Sequence, residues 1–395
     1  MKKIMTLAAT AALLLPGTVA YAADVVWTTV NTDSTGDQDN ASVSSVRTGY
    51  TAVVWEDDRD SSAPGDPAHS DVWIRLYLDG VSQYEKKLSA GGTGTWRHVQ
   101  PDVALHEDGS AVVVWSEDPD GNGFYNIALR TVSPSGVVAG SGTANASATG
   151  QQYYPAVAAD PDSPGFAVTW EDKQDTTNPT VRVAGFASLT SKSYEAQVNG
   201  AGGTHQRPDV AVGAAGNAIV VWDEDGDANG AFNVARKILT PAGGVKLAQG
   251  VVNATTGGQQ RHASVAANFN GDFAVAWETG AQVGVRSFTY LGAASSTVDT
   301  VLPGADPQVG IDDQRNAVVT SVETGDVVTQ GLNADGTTAG RLPRQTTVRT
   351  AADRQDEPAL GVDGWGLITV VYTDDNDGNQ FDQVYLGSGW VNSTW

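Results

Sequence analysis

The chain has 395 residues, a formal charge of −23 and no cysteine. A surface this acidic repels nucleic acid and anionic membranes, and without thiols there is neither a disulfide scaffold nor cysteine chemistry. No segment beyond the N-terminus holds the ~20 apolar residues of a membrane span, so membrane insertion is not expected.

In chain order, Lys2 and Lys3, an apolar run over 4–15 and Ala20-Tyr21-Ala22 read as a secretory leader over residues 1–22. That predicts a secreted, extracellular protein whose mature part, 23–395, forms a single domain. Residues 24–30 then read as an orphan strand. After it one phrase recurs seven times: a Pro or Ala, a Val or Leu two positions on, a turn, and an apolar run ending in an aromatic. The copies begin at Ala41, Pro101, Pro155, Pro208, Ala263, Pro307 and Pro358. They end at Trp55, Trp115, Trp170, Trp222, Trp277, Ser321 and Tyr372, so only the sixth lacks its aromatic. A strand-rich repeat of this length marks a propeller or solenoid array.

The second copy shows how one unit folds. Residues 101–105 form a short strand with Pro101 at its mouth, where proline is tolerated. Asp108-Gly109 turns the chain, because glycine accepts positive φ. Residues 111–115 are continuously apolar, as a strand buried on both faces should be. Third and fourth strands are expected over 124–132 and 137–148. Four antiparallel strands per unit, seven times over, give an all-β, seven-bladed propeller. The last copy runs out after its third strand, so the strand at 24–30 is expected to complete it and close the ring. The repeated tryptophan is read as filler between blades, since its burial removes about 150–250 Å² from water.

The five positions after each aromatic hold 20 of the 46 Asp and Glu residues. These loops are expected to share one face with the links entering each first strand. Three of them alternate Asp or Asn with Gly, a pattern that can wrap oxygen ligands around Ca²⁺. The candidate ligands are Asp118, Asp120 and Asn122; Asp223, Asp225 and Asp227; and Asp375, Asp377 and Asn379. Asp, Asn and Gly also simply form turns. Three residues before each copy stands a second ring: Gln38, His98, Gln152, His205, Gln260 and Gln355, with Gly304 in the sixth blade. With Tyr153, Tyr154, Gln206, Arg207 and Arg261 beside them, these are the expected ligand-binding residues. Amides, imidazoles, guanidiniums and tyrosines hydrogen-bond and stack on sugars, although buried links could use the same groups to satisfy the backbone.

No nucleophile set is visible. The five histidines are scattered, and neither Gly-x-Ser-x-Gly nor His-Glu-x-x-His occurs. The Ser-x-Asp-x-Gly-x-x-Trp box of sialidase-type propellers is also missing from the repeats. The rim is evenly acidic, whereas carboxylate catalysis needs two groups in different environments. A non-catalytic protein without organic cofactor is therefore expected, ahead of a propeller glycoside hydrolase or lyase.

The repeats, clearest in Pro101-Asp102-Val103-Ala104 and Val113-Val114-Trp115-Ser116-Glu117-Asp118, resemble those of secreted bacterial β-propellers with lectin-like roles. More narrowly the mature chain looks like the propeller lectin subunit of actinobacterial umbrella toxin particles. The resemblance implies binding to a glycan or cell-envelope surface, with other subunits of a secreted particle as partners. Some members carry a trypsin-like module, and no Gly-Asp-Ser-Gly-Gly segment stands here. The alternative is a scaffold whose acidic rim docks a basic protein.

Overall fold

The computed structural model describes residues 27–61, 70–89, 97–118, 122–174, 178–338, 345–346, 355–374 and 381–390. The leader segment 1–22, Asp120, Asp375, Asp377 and Asn379 lie outside the described residues.

Seven four-stranded antiparallel sheets form a ring. Their first strands are Gln38–Ser45, His98–Leu105, Gln151–Ala159, Thr204–Gly213, Gln260–Ala267, Ala305–Ile311 and Asp356–Val362. Each first strand packs against the first strands of both neighbouring blades, and the last meets the first. These seven strands therefore wall a central channel. In the second blade the remaining strands are Ala111–Glu117, Asn126–Val132 and Val138–Thr143. Among the described residues the sole helical element is a 3-10 turn, Ala214–Gly216. The first strands start about three residues earlier than the sequence phrase implies, and that extension builds the site.

Trp55, Trp115, Trp170, Trp222, Trp277 and Tyr372 are all essentially inaccessible. Each packs on the blade before it: Trp115 joins Val54, Val72 and Ile74 of blade one, and Trp170 joins Val114, Ile127 and Leu129 of blade two. Two of the indole N–H groups are paired within their own blade, Trp55 donating to Asp57 (2.8 Å) and Trp115 to Glu117 (3.0 Å) two residues on, whereas that of Trp170 is buried without a partner among the described residues. In blade six the backbone comes close instead. A Cβ on Gly304, whose φ is +124°, would lie 2.6 Å from the Ser321 hydroxyl, so an indole could not fit beside it.

The N-terminal segment closes the ring as the outer strand of blade seven. Thr28 and Thr29 pair with Leu386 and Tyr385, and Trp27 meets Tyr372 edge-on at 5.0 Å. Asn31 then ties three chain segments together, donating to Gln38 (2.9 Å) and Gln383 (2.6 Å) and accepting from the Val384 N–H (3.1 Å). Asn145, Asn199 and Asn253 accept the corresponding N–H in blades two, three and four. Val30-Asn31 is therefore blade seven's copy of the blade-ending signal seen in blades two, three and four, displaced to the front of the chain.

Candidate functional site

The channel has unequal ends. At the narrow end, a cavity of about 280 Å³, Arg47 from blade one reaches Asp313 of blade six (2.5 Å) and lies 4.7 Å over the Phe269 ring. Midway, Asp102 accepts from the Ser42 hydroxyl (2.5 Å) and the Val157 N–H (2.7 Å), sewing three first strands together. The other end opens into a cavity of about 1190 Å³.

Every first strand enters this wide mouth through the same kink. Asn40, Gln100, Tyr154, Arg207, His262, Asp306 and Glu357, one per blade, have φ between +48° and +58°. Each immediately precedes the Pro or Ala of the repeat, at a bulge in the pairing with the second strand. A non-glycine residue pays about 1–2 kcal/mol for this left-handed conformation, so its surroundings must hold it. They do so between blades. The Gln100 N–H donates to Glu56 of blade one (2.7 Å), that of Arg207 to Glu171 of blade three (3.1 Å) and that of Asp306 to Glu278 of blade five (3.0 Å). Where blade two has only Ser116 in that place, the Tyr154 N–H donates to the Gln100 side chain instead (3.0 Å).

Much of the acidic rim is thereby accounted for. Glu56, Asp57, Glu171, Asp172, Asp223 and Asp374 are buried, so these carboxylates do not form an open docking surface. Asp118 accepts the N–H groups of Asn122 (3.1 Å) and Gly123 (2.7 Å) of its own loop. Asp225 does the same with Asn229 and Gly230, both at 3.0 Å. Asp227 bonds Asn229 (2.8 Å), and Asp223 is enclosed beside His262. Asp118, Asp225 and Asp227 thus point at their own turns, as turn-forming side chains do, whereas Asp223 does not.

Of the expected ligand-binding residues, His98, Gln152, His205, Gln260 and Gln355 are at most 2 % exposed and face the blade interior. The Gln152 amide donates to the Thr149 carbonyl (2.8 Å) and that of Gln260 to the Gly257 carbonyl (2.9 Å). The His98 ring contacts the Ser70 carbonyl (3.1 Å), and a Gln355 side-chain oxygen accepts from the Val327 N–H (3.4 Å). His205 lies between Glu224 (2.7 Å) and the Gly202 carbonyl (2.6 Å). Burial opposes charge on that ring, but Glu224 outweighs it and raises its pKa. Gln206 and Arg261 are half-buried outside the cavity lining, and Arg261 lies 3.9 Å over Phe232. Tyr153, Tyr154 and Arg207 do line the mouth.

Adjacent residues on a flat strand point to opposite faces, so Tyr153 and Tyr154 could not both line it without the bulge. With it, their rings lie 4.9 Å apart at 53°. Lys173 sits 4.8 Å over Tyr153 and the Arg207 guanidinium 5.1 Å over Tyr154. This aromatic and cationic wall belongs to blades three and four. Across the mouth, blades six, seven and one present Asp306, Asp356, Glu357, Asp39 and Glu56. Burial pushes the Asp39 carboxyl up to about 9, with Glu56 and Glu357 adding repulsion. Burial also lifts Glu56 to about 7, against the pull of the Gln100 N–H, and raises Glu357. Sequence reasoning passed over Asp39 and Glu357; their signal was the pair of positions just ahead of each repeat's Pro or Ala, where the chain kinks.

No family's sequence profile matches the chain, and no curated protein matches it by sequence. Solved structures do share its fold. The GH93 alpha-L-arabinofuranosidase of Fusarium graminearum is 12% identical over 94% of this chain and 98% of its own, with a TM-score of 0.53. The polysaccharide lyase Uly1 is 12% identical over 91% of this chain and 90% of its own, also at 0.53. A prolyl endopeptidase structure is 14% identical over 90% of this chain and 51% of its own, at 0.51. Likeness this remote establishes the seven-bladed ring alone, and it carries no link to toxin particles. It does correct the expectation of a non-catalytic protein, since similar rings belong to carbohydrate-cleaving enzymes. The premise of an evenly acidic rim also fails: the mouth carboxylates sit in different environments and hold their protons differently.

Proposed function

We propose that the wide mouth of the channel binds a carbohydrate chain and cleaves a glycosidic bond in it. The observation that carries this reading is the division of one cavity into two walls: a tyrosine pair backed by cations, facing a group of five carboxylates. Tyr153 and Tyr154 offer the flat apolar surface on which sugar rings stack, and Arg207 and Lys173 offer donors to hydroxyl or carboxylate groups. Asp39, protonated at neutral pH, is the general acid that gives its proton to the departing glycosidic oxygen. Glu357, which lines the cavity and accepts the Asn40 N–H (2.6 Å), is the base that takes a proton from the water adding to the anomeric carbon. Glu56 keeps the proton on Asp39 by repulsion and is tied to blade two through Gln100.

The test is a panel of neutral and uronic-acid polysaccharides, assayed for new reducing ends with wild type, Asp39→Asn and Glu357→Gln. Asp39→Asn should lower kcat by about 100-fold or more while leaving glycan binding in place. Wild type that binds a glycan yet releases no ends from any member of the panel, or Asp39→Asn as active as wild type, would sink the assignment.

A further inference from the structure

The sevenfold repeat supplies an internal control for a metal site. In each blade three positions are brought together at the mouth: the kinked residue, the residue following the aromatic of the second strand, and the kinked residue of the next blade. In blade one these are Asn40, Glu56 and Gln100, and in blade three Tyr154, Glu171 and Arg207. Blade four puts Arg207 beside Asp223, which repels a cation. Blades two, six and seven carry Ser116, Val322 and Thr373 in place of the carboxylate. Blade five alone fills all three positions with ligand-type groups: His262, Glu278 and Asp306.

Their ligand atoms lie within 4.8 Å of one another. Glu278 accepts the Asp306 N–H on one oxygen (3.0 Å) and turns the other to His262 Nδ1 (3.0 Å). Buried Asp223 lies beside His262 as well, with Arg207 and Arg261 near enough to act on its charge. We propose that the lip between blades five and six binds a divalent transition ion of the zinc or manganese type. One imidazole with two carboxylates suits such an ion better than calcium, which prefers an all-oxygen shell. Three protein ligands leave open positions toward the cavity, where glycan hydroxyls or water would complete the shell. The site goes beyond glycan cleavage and stands whether or not any glycan is cut.

The experiment is calorimetric titration of chelator-treated protein with Zn²⁺, Mn²⁺ and Ca²⁺ alone. Zn²⁺ or Mn²⁺ is expected to bind one to one and to raise Tm. Affinity should fall by about tenfold or more in His262→Ala and in Asp306→Asn, and stay unchanged in Glu171→Gln of blade three. Asp306→Asn keeps its backbone N–H and so tests the ligand even if His262→Ala fails to fold. No heat with Zn²⁺ or Mn²⁺ to millimolar, binding indifferent to Asp306→Asn, or Ca²⁺ bound in preference would each overturn the proposal.

Discussion

Two rings on the wide face lie two residues apart in the sequence and behave oppositely. The ring of Gln38, His98, Gln152, His205, Gln260 and Gln355 is chemically uniform, buried, and spent on backbone carbonyls and neighbouring side chains. The ring of Asn40, Gln100, Tyr154, Arg207, His262, Asp306 and Glu357 shares one backbone conformation but is chemically diverse and open to solvent. In the first ring the side chain is the structural element. In the second it is mainly the backbone, which frees most side chains to differ; Gln100 and Glu357 also accept the N–H of the next kinked residue. A repeat protein can vary its surface only where structure is held by something other than the side chain, and here inter-blade carboxylates hold it.

The largest effect should separate the rings within one blade. Gln38 receives Asn31 and donates to the Thr35 (2.9 Å) and Gly36 (3.0 Å) carbonyls at the ring closure. Gln38→Ala strands buried polar groups and should cost about 2–3 kcal/mol in urea unfolding. Asn40→Gly, two residues on, should change stability by no more than about 0.5 kcal/mol. Equal losses in the two variants would erase the distinction.

Which ring was legible in the sequence follows from the same contrast. The spacing of Trp55, Trp115, Trp170, Trp222 and Trp277 is set by burial, and burial leaves a repeated apolar mark, so blade number and closure were readable. The Gln and His ring repeats too, and its repetition left two readings open, sugar recognition and satisfaction of the backbone; its burial and hydrogen bonds fit the second. Asp39 and Glu357 escaped notice because period-two alternation assumes a flat strand. A left-handed residue ahead of a proline changes which side chains face the channel, and no composition rule records that. The displaced Val30-Asn31 was visible as a match to Val198-Asn199 and Val252-Asn253, but its meaning depends on a partner more than 350 residues away.

A smaller, graded effect should come from pH. The carboxyls of Glu56, Asp209 and Asp223 are raised to about 7 and that of Asp39 to about 9, chiefly by burial. The folded state therefore binds more protons than the unfolded one across this range. Their contribution is complete below the unfolded pKa near 4 and is lost as pH rises through the folded values. Between pH 5 and 9 Tm should decline, and Asp39→Asn should flatten the part between 7 and 9. A Tm that climbs over that interval would show that the mouth carboxyls are fully ionised at neutral pH, and would remove the acid from the proposed chemistry.

The smallest effect is the sharpest test of the kinked ring, because it separates backbone from side chain at one residue. Tyr154 has φ +52° and contacts Tyr153 and Arg207. Tyr154→Ala and Tyr154→Gly both remove the ring and its cation, so both should weaken glycan binding by about tenfold, the worth of one stacking contact. They differ only in the backbone they prefer. Alanine keeps the left-handed penalty, whereas glycine escapes it at some cost in unfolded-state entropy. Glycine should therefore be more stable than alanine by about 0.5–1 kcal/mol, the reverse of their order in an ordinary strand. If alanine proves the more stable, the kink is not enforced by the fold, and the chemical diversity of that ring loses its structural explanation.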